Sequence, residues 1–384
     1  MDTLLGDDER MVAEQARVFL ASACPTSLVR ACEAQGKYSP QLWQAIVDLG
    51  WLETCLPEHQ GGLGLPLHYL TLLFEEAGRH LAPVPLISTV VSTLILAEHG
   101  GARHDSCLAR VRAGELLFSM ALQEHGGAWS PEAIQMVGRL EGDSVVLDGA
   151  KMFVDNFGIS DRCLVAFRMQ GDEGGLTLAV VDTKAANLTH QELTPTAKDS
   201  QALVHFDGVR VSLGAVVGEI GKAEAAIRKA MDLAVLLGTA QMTGASRRAI
   251  EMAVEYANPR HAFGQPIGSF QAIQHQCADM LIGVDGAELL NREASWKLGQ
   301  GLDAGVEVSQ AKAFANDKCV MACRSAQQIH GGMGFMMDCD IQLFYRRVVS
   351  GSVRHGTTSE HRRRVADHLL QASGKIRLGW GVER

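Results

Sequence analysis

Gln327-Gln328-Ile329-His330-Gly331-Gly332-Met333-Gly334-Phe335 closes a long stretch of helical periodicity, and the way it closes decides the fold. The stretch before it, about Val306 to His330, spaces its apolar residues as an amphipathic helix does. A glycine pair behind a helix is a common C-terminal stop. It also lets backbone amides approach a ligand closely, because no Cβ stands in the way. Gln328 lies at the helix end beside that pair; taken alone, the pair reads as a cap. His330 reads as packing.

Outward from this point the chain stays helical. Downstream, Thr357 and Glu360 in Arg354-His355-Gly356-Thr357-Thr358-Ser359-Glu360 form a capping box, so a helix starts near Thr357. Its free amides and positive dipole end suit an anion. Upstream, two further helices cover about Ala223 to Asn258, stopped by Pro259, and about Ser269 to Leu298. Long helices joined by short loops predict a four-helix bundle over residues 218–384. Between the first two helices runs Pro259-Arg260-His-Ala-Phe263-Gly264, followed by Phe270-Gln271. A guanidinium at Arg260, just past a helix end, suits paired hydrogen bonds to phosphate oxygens.

Residues 118–217 have another texture. Short apolar runs at 116–122, 144–147, 152–154, 163–167, 176–181 and 202–206 are separated by Gly and Asp clusters such as Glu141-Gly142-Asp143 and Gly171-Asp-Glu-Gly-Gly. Strands bounded by turns fit, and no helical pattern interrupts them, so a compact β-barrel or sandwich is expected rather than a parallel βαβ sheet. Residues 1–117 read as helical: Asp7-Asp8-Glu9 opens one helix, Leu42, Ile46 and Leu49 mark another that Gly50 ends, and Tyr69 to Leu81 a third. The expected fold class is α+β multidomain: N-terminal helical domain 1–117, middle β domain 118–217, C-terminal four-helix bundle 218–384.

The chain has 384 residues, 47% hydrophobic and 21% charged, as a soluble globular protein has. A formal charge of -9 argues against a nucleic-acid role. No apolar run is long enough to span a bilayer; that at Pro83 to Leu96 is too short. The acidic N-terminus, Met1 to Glu9, resembles neither a signal nor a transit peptide. Nine cysteines lack framework spacing, and Cys319 and Cys323 stand on one helical face without a second ligand pair. Free thiols in a reducing cytoplasm, and no metal site, are expected. Hydrolase, Walker-type and zinc-peptidase motifs do not occur.

Three of these stretches together, Tyr256 to Gln271, Gln328 to Phe335 and Arg354 to Glu360, resemble the flavin-clasping signatures of the acyl-CoA dehydrogenase family. The resemblance spans essentially the whole chain, and the turn Pro57-Glu58-x-x-Gly61-Gly62-x-Gly64 shares it. It implies FAD as cofactor, held by Arg260, Phe263, Gln271, Gln328, Gly331, Gly332 and Thr357, with Arg260 and Phe263 reaching the dinucleotide of a neighbouring subunit. A homo- or hetero-oligomer with a related subunit follows from that. The resemblance aligns Gly149 to Asn156 with the strand that packs on the isoalloxazine: Phe153 stands where an aromatic ring stacks, Asp155 where many members carry a hydroxyl. Gln123 replaces a Thr and Trp129 a Ser in the family's Thr-Glu-Pro-x-x-Gly-Ser stretch. Asp232 and Gly356 match substrate contacts. The implied reaction is desaturation of an acyl-CoA between its α and β carbons, in fatty acid or steroid catabolism, with electrons passing to an electron-transferring flavoprotein.

The chain departs from the family at its base. The family removes a weakly acidic proton, which needs a base within reach and donors to the thioester oxygen. His355 stands where many members carry that glutamate. Ala234 stands where others place it, and Val235 replaces a usual Arg. The resemblance to steroid-CoA and pimeloyl-CoA dehydrogenases, which often pair unlike subunits, leaves two readings: a subunit of a heteromeric dehydrogenase with His355 as base, or a non-catalytic FAD-clasping partner. A flavin monooxygenase or oxidase on the same fold is a third.

Overall fold

The computed structural model describes residues 4–171 and 174–371. The first three residues of the acidic N-terminus and the centre of the 171–175 turn lie outside them. Six helices open the chain: α1 (Asp7–Ala23), α2 (Thr26–Gln35), α3 (Pro40–Asp48), α4 (Leu67–Arg79), α5 (Leu86–His99) and α6 (Asp105–Arg112). Three acidic residues occupy the first turn of α1, where they complement the positive end of the helix. Ser39 caps α3 by accepting a hydrogen bond from the Leu42 amide at 3.2 Å, with Pro40 behind it. The apolar run at Pro83 to Leu96 becomes α5, which is buried on almost every side and therefore shows little amphipathic contrast.

The middle of the chain forms eight strands among the described residues: β1 (Phe118–Ala121), β2 (Val137–Glu141), β3 (Ser144–Asp155), β4 (Arg162–Met169), β5 (Leu176–Asp182), β6 (Leu188–Glu192), β7 (Gln201–Ser212) and β8 (Val216–Val217). Their order is β6-β7-β3-β2-β4-β5-β8, with β1 pairing β4. Most neighbours are antiparallel; β1 and β2 lie parallel to β4. Two of the predicted short runs merge into β3. The register against β7 shifts between Lys151 and Val154, and Phe153 within that break has φ 56°. A bulge of this kind re-aims a side chain, and here the Phe153 ring is left 46% exposed. The strands enclose their own core, built on Val145, Leu147, Val165, Phe167 and Val204.

The C-terminal part comprises α7 (Glu224–Ala257), the two-residue strands β9 (His261–Ala262) and β10 (Gln265–Pro266), α8 (Gln271–Gly299), α9 (Gly305–Ile329), α10 (Ile341–Gly351) and α11 (Thr358–Gln371). The long helices α7, α8 and α9 pack on one another with α11 against α9. The sequence reading passes over α10, which packs on α7 and α9. The N-terminal helices share the bundle's core. Helices α4 and α7 meet at especially short range. A Cβ on Gly78 would come within 2.1 Å of the Gln241 carbonyl oxygen, and one on Gly244 within 1.8 Å of the Glu75 carbonyl oxygen. Backbone meets backbone there, so only glycine fits on either helix.

Candidate functional site

Strands β1 and β3, the loop after β1, helix α5 and the stretch after α10 converge on one cleft. Its floor is Met120, Leu122, Gln123, Met152 and Phe153, and Arg347 and Arg354 reach in from the bundle side. Gln123 is fixed on this floor: its side-chain amide donates to the Gly127 carbonyl at 3.2 Å, and its backbone carbonyl accepts from the Met152 amide at 2.9 Å. A second, inner cavity adjoins it between α4 and α7, with Gly78, Leu81, Ile87, Gly238, Met242 and Val348 as largely apolar walls and His355 among its lining residues. Ile87, Asp155, Asp199, Gln241, Arg347 and Arg354 line both.

An ion cluster stands on that boundary. The Arg354 guanidinium donates to both oxygens of Asp199 at 2.6 and 2.7 Å and lies 3.5 Å from Asp155. Asp155 also accepts from the Gln201 amide at 2.9 Å. Burial pushes the Asp155 carboxyl up, against the pull of Arg354, whereas the paired hydrogen bonds and the two nearby guanidinium groups hold Asp199 down despite its burial. Sequence reasoning passed over Asp199 and the bridging role of Arg354. The pair is far apart in sequence, and only the fold brings loop 195–200 against the turn before α11.

His355 is 7% exposed and has φ 56°. Its backbone carbonyl accepts from His361 Nε2 at 2.9 Å. Burial, with Lys312, Arg354 and His361 nearby, drives its imidazole well below the ordinary histidine range, so it is neutral near pH 7. Lys312, itself pushed down to about 7 by burial, donates to the Gly351 carbonyl at 2.7 Å. The Trp129 ring lies against the imidazole with centroids 4.9 Å apart. Asp232, in the first turns of α7, is pushed up to about 6 by burial, with Arg364 and Arg228 opposing.

The remaining predicted residues fall into two exposed groups and one cap. Arg260, Phe263 and Gln271 surround the β9–β10 hairpin between α7 and α8. Phe263 is 95% exposed with φ 53°, and its ring meets that of Phe270 edge-on at 6.3 Å. Gln328, Gly331 and Gly332 lie at the end of α9, where a Cβ on either glycine would meet no atom within 4 Å. Gly334 differs, since a Cβ there would come within 2.3 Å of the Gln327 carbonyl oxygen. His330 is buried, bonded to the Ala326 carbonyl at 2.8 Å and stacked on Tyr256. Thr357 and Glu360 form the expected capping box: the Thr357 amide donates to Glu360 at 2.7 Å and the Glu360 amide to the Thr357 hydroxyl at 3.3 Å. Gly356 has φ 100°, and a Cβ would strike His361 at 2.5 Å. The structure thus brings Gln123, Phe153, Asp155 and His355 to the two joined cavities and leaves the Arg260 and Gln328 groups on the surface. Trp129 is the further site residue that its sequence position, in place of a Ser, signalled without a role.

The arrangement fits a flavin dinucleotide in part. An apolar floor with a half-exposed aromatic ring and a fixed amide suits a flat heteroaromatic ring system. An exposed Phe on strained backbone and an open glycine pair suit the dinucleotide's far end. The Arg354 bridge is the feature that does not follow from such a fit.

Comparison with known proteins agrees with the architecture. The model of the acyl-CoA dehydrogenase N-terminal domain matches residues 6–106, and that of the C-terminal domain residues 225–370. The 3-(aryl)acrylate reductase of Clostridium sporogenes is 27% identical over 87% of this chain and 91% of its own length. The human short-chain specific acyl-CoA dehydrogenase, mitochondrial, is 28% identical over 84% of this chain and 81% of its own. The solved steroid ACAD Tcur3481-Tcur3483 superposes with a TM-score of 0.87 at 28% identity, covering 96% of this chain and 99% of that one. Two domain models, one at each end of the chain and together spanning well over half of it, settle the matter: this chain belongs to the acyl-CoA dehydrogenase family, an oxidoreductase family of FAD-binding flavoproteins.

Proposed function

We propose that this chain is a subunit of a heteromeric, FAD-dependent acyl-CoA dehydrogenase in which a related, glutamate-bearing chain carries the α,β-desaturation. One observation carries the reading: among the described residues, no free carboxylate lines the inner cavity. Asp155 and Asp199 are tied to Arg354, Ala234 is a buried methyl, and the glutamate's usual place holds His355. The name of the Tcur3481-Tcur3483 relative, which joins two chains, is consistent with a paired assembly.

Gln123, Phe153 and Asp155 on the cleft floor, with Arg260, Phe263, Gln271, Gln328, Gly331, Gly332 and Thr357, are the residues that would hold FAD across a subunit boundary. Bound there, FAD supplies the hydride acceptor for acyl-CoA oxidation. In this chain Phe153 offers its exposed ring face, Gln123 its fixed amide, and Arg260 a charge for phosphate oxygens. Asp232 and Gly356 are the residues proposed to touch substrate. Electrons leave through an electron-transferring flavoprotein. The test is anaerobic. Acyl-CoA should leave the flavin of the isolated chain yellow, and adding the glutamate-bearing partner should bleach it. Rapid bleaching of the isolated chain overturns the reading.

A second reading has its own observation. His355 borders the largely apolar cavity, where the family's glutamate would stand, and burial keeps its imidazole neutral though less basic than a free one. If it is the base, His355→Ala should lower turnover by about a hundred- to ten-thousand-fold with flavin retained.

A further inference from the structure

Trp129 occupies an unusual place. Its indole lines the outer cleft, while His355, in contact with it, lines the inner cavity. The residue is 6% exposed and held from two sides. Its Nε1 donates to the Met231 carbonyl of α7 at 3.3 Å, and its backbone amide donates to Glu360 at 3.1 Å, the carboxylate that caps α11. One tryptophan therefore ties the loop after β1 to α7 and α11 and covers the imidazole. On the same two helices stand the charged groups Arg228, Asp232 and Arg364, within electrostatic reach of one another. The indole holds the carbonyl of Met231, the residue before Asp232, and touches the imidazole that lines the largely apolar cavity, an arrangement that suits a ligand charged at one end and apolar at the other.

We propose that Trp129 is the specificity-determining residue of this chain: seated on His355, it excludes the acyl end of thioesters from the inner cavity, and a small residue in its place admits it. The proposal rests on the acyl-CoA reading. It assigns the exclusion to one side chain, and it goes with the first reading only, since His355 cannot act on an acyl chain kept out of its cavity. The Arg354–Asp155–Asp199 bridge, which lines both cavities, stays in place when the indole is removed, so any gain in access is assigned to the indole.

The experiment uses the full chain and reads access. Diethyl pyrocarbonate modifies neutral imidazoles, and peptide mass spectrometry separates His355 from the exposed His59 in the same sample. The quantity read is the modification rate at His355 relative to that at His59.

In the wild type His355 should stay unmodified while His59 reacts. In Trp129→Gly the relative rate at His355 should rise by about tenfold or more, since a buried ring is otherwise reached only through local opening. An unreactive alkyl-CoA thioether should suppress that gain, and calorimetry should show the thioether binding Trp129→Gly more tightly than the wild type. Trp129→Phe, which keeps a ring on the imidazole, should behave as the wild type. If Trp129→Gly does not fold, Trp129→Leu takes its place. Wild-type His355 reacting as fast as His59, a folded small-residue variant with His355 still protected, or equal thioether binding by wild type and variant each overturns the proposal. Flavin content, read by absorbance in the same samples, tests the family-derived cofactor reading separately. A chain that holds no flavin with or without its partner sinks that reading and leaves the labelling result standing.

Discussion

Single residues carry most of the chemistry, and Arg354 shows how. Its guanidinium is four-fifths buried and neutralised by Asp199 and Asp155. Removing one member of such a cluster strands the others, at a typical cost of about 3–5 kcal/mol. Arg354→Ala should therefore lower the unfolding free energy in urea by about that amount, and adding Asp155→Asn and Asp199→Asn should restore most of it. Asp232 gives a pH signature. Its folded-state value of about 6 lies above the 3.8 of an ordinary Asp, so the folded state binds the proton more tightly. That contribution is fully present below about pH 4 and is lost as pH rises through about 6. Asp232→Asn should flatten this fall, and denaturation midpoints at about pH 4, 6 and 8 check it. What was legible at this scale was the unusual residue, not its partners. His355, Trp129 and Asp155 stand out against the family pattern. Asp199 does not, because an ion pair between distant loops leaves no local trace in the sequence.

At the scale of elements, the α4–α7 seam is tightly constrained. Gly78 and Gly244 let two backbones touch, and the inner cavity opens beside that contact. An exposed helical Gly→Ala change stabilises by up to about 1 kcal/mol. Here Gly244→Ala should do the reverse, with a loss of several kcal/mol or failure to fold, because the obstacle is backbone that cannot move aside. Urea denaturation of the purified variant checks the sign. The long helices were readable from periodicity and from their stops at Pro259 and Gly331. Three kinds of element were not. Helix α5 is apolar all round, so period alone does not identify it. Strands β2 and β6 are largely exposed and carry no apolar run. Helix α10 is short and follows closely on a glycine-rich turn.

At the scale of the whole molecule, the surface is uneven. Phe263 is almost fully exposed, Phe335 is 65% exposed, and Met333, Met336 and Met337 stand near it in sequence. The exposed apolar run at 333–337 is of the kind that marks an interaction surface. The chain should sediment as an oligomer at micromolar concentration, and Arg260→Ala should lose flavin before it loses fold. A monomer with flavin bound, or an Arg260→Ala protein with a full flavin spectrum, contradicts these expectations.

Phe153, Phe263 and His355 share a backbone habit: each has φ between 53° and 56°, where glycine is the comfortable occupant. A bulky side chain held there costs about 1–3 kcal/mol. Of seven non-glycine residues with positive φ among the described residues, these three are candidate binding residues, so part of the chain's backbone strain is stored at its candidate sites. Directed evolution for heat resistance alone should therefore drift these positions toward glycine, and the thermally hardened descendants should be colourless.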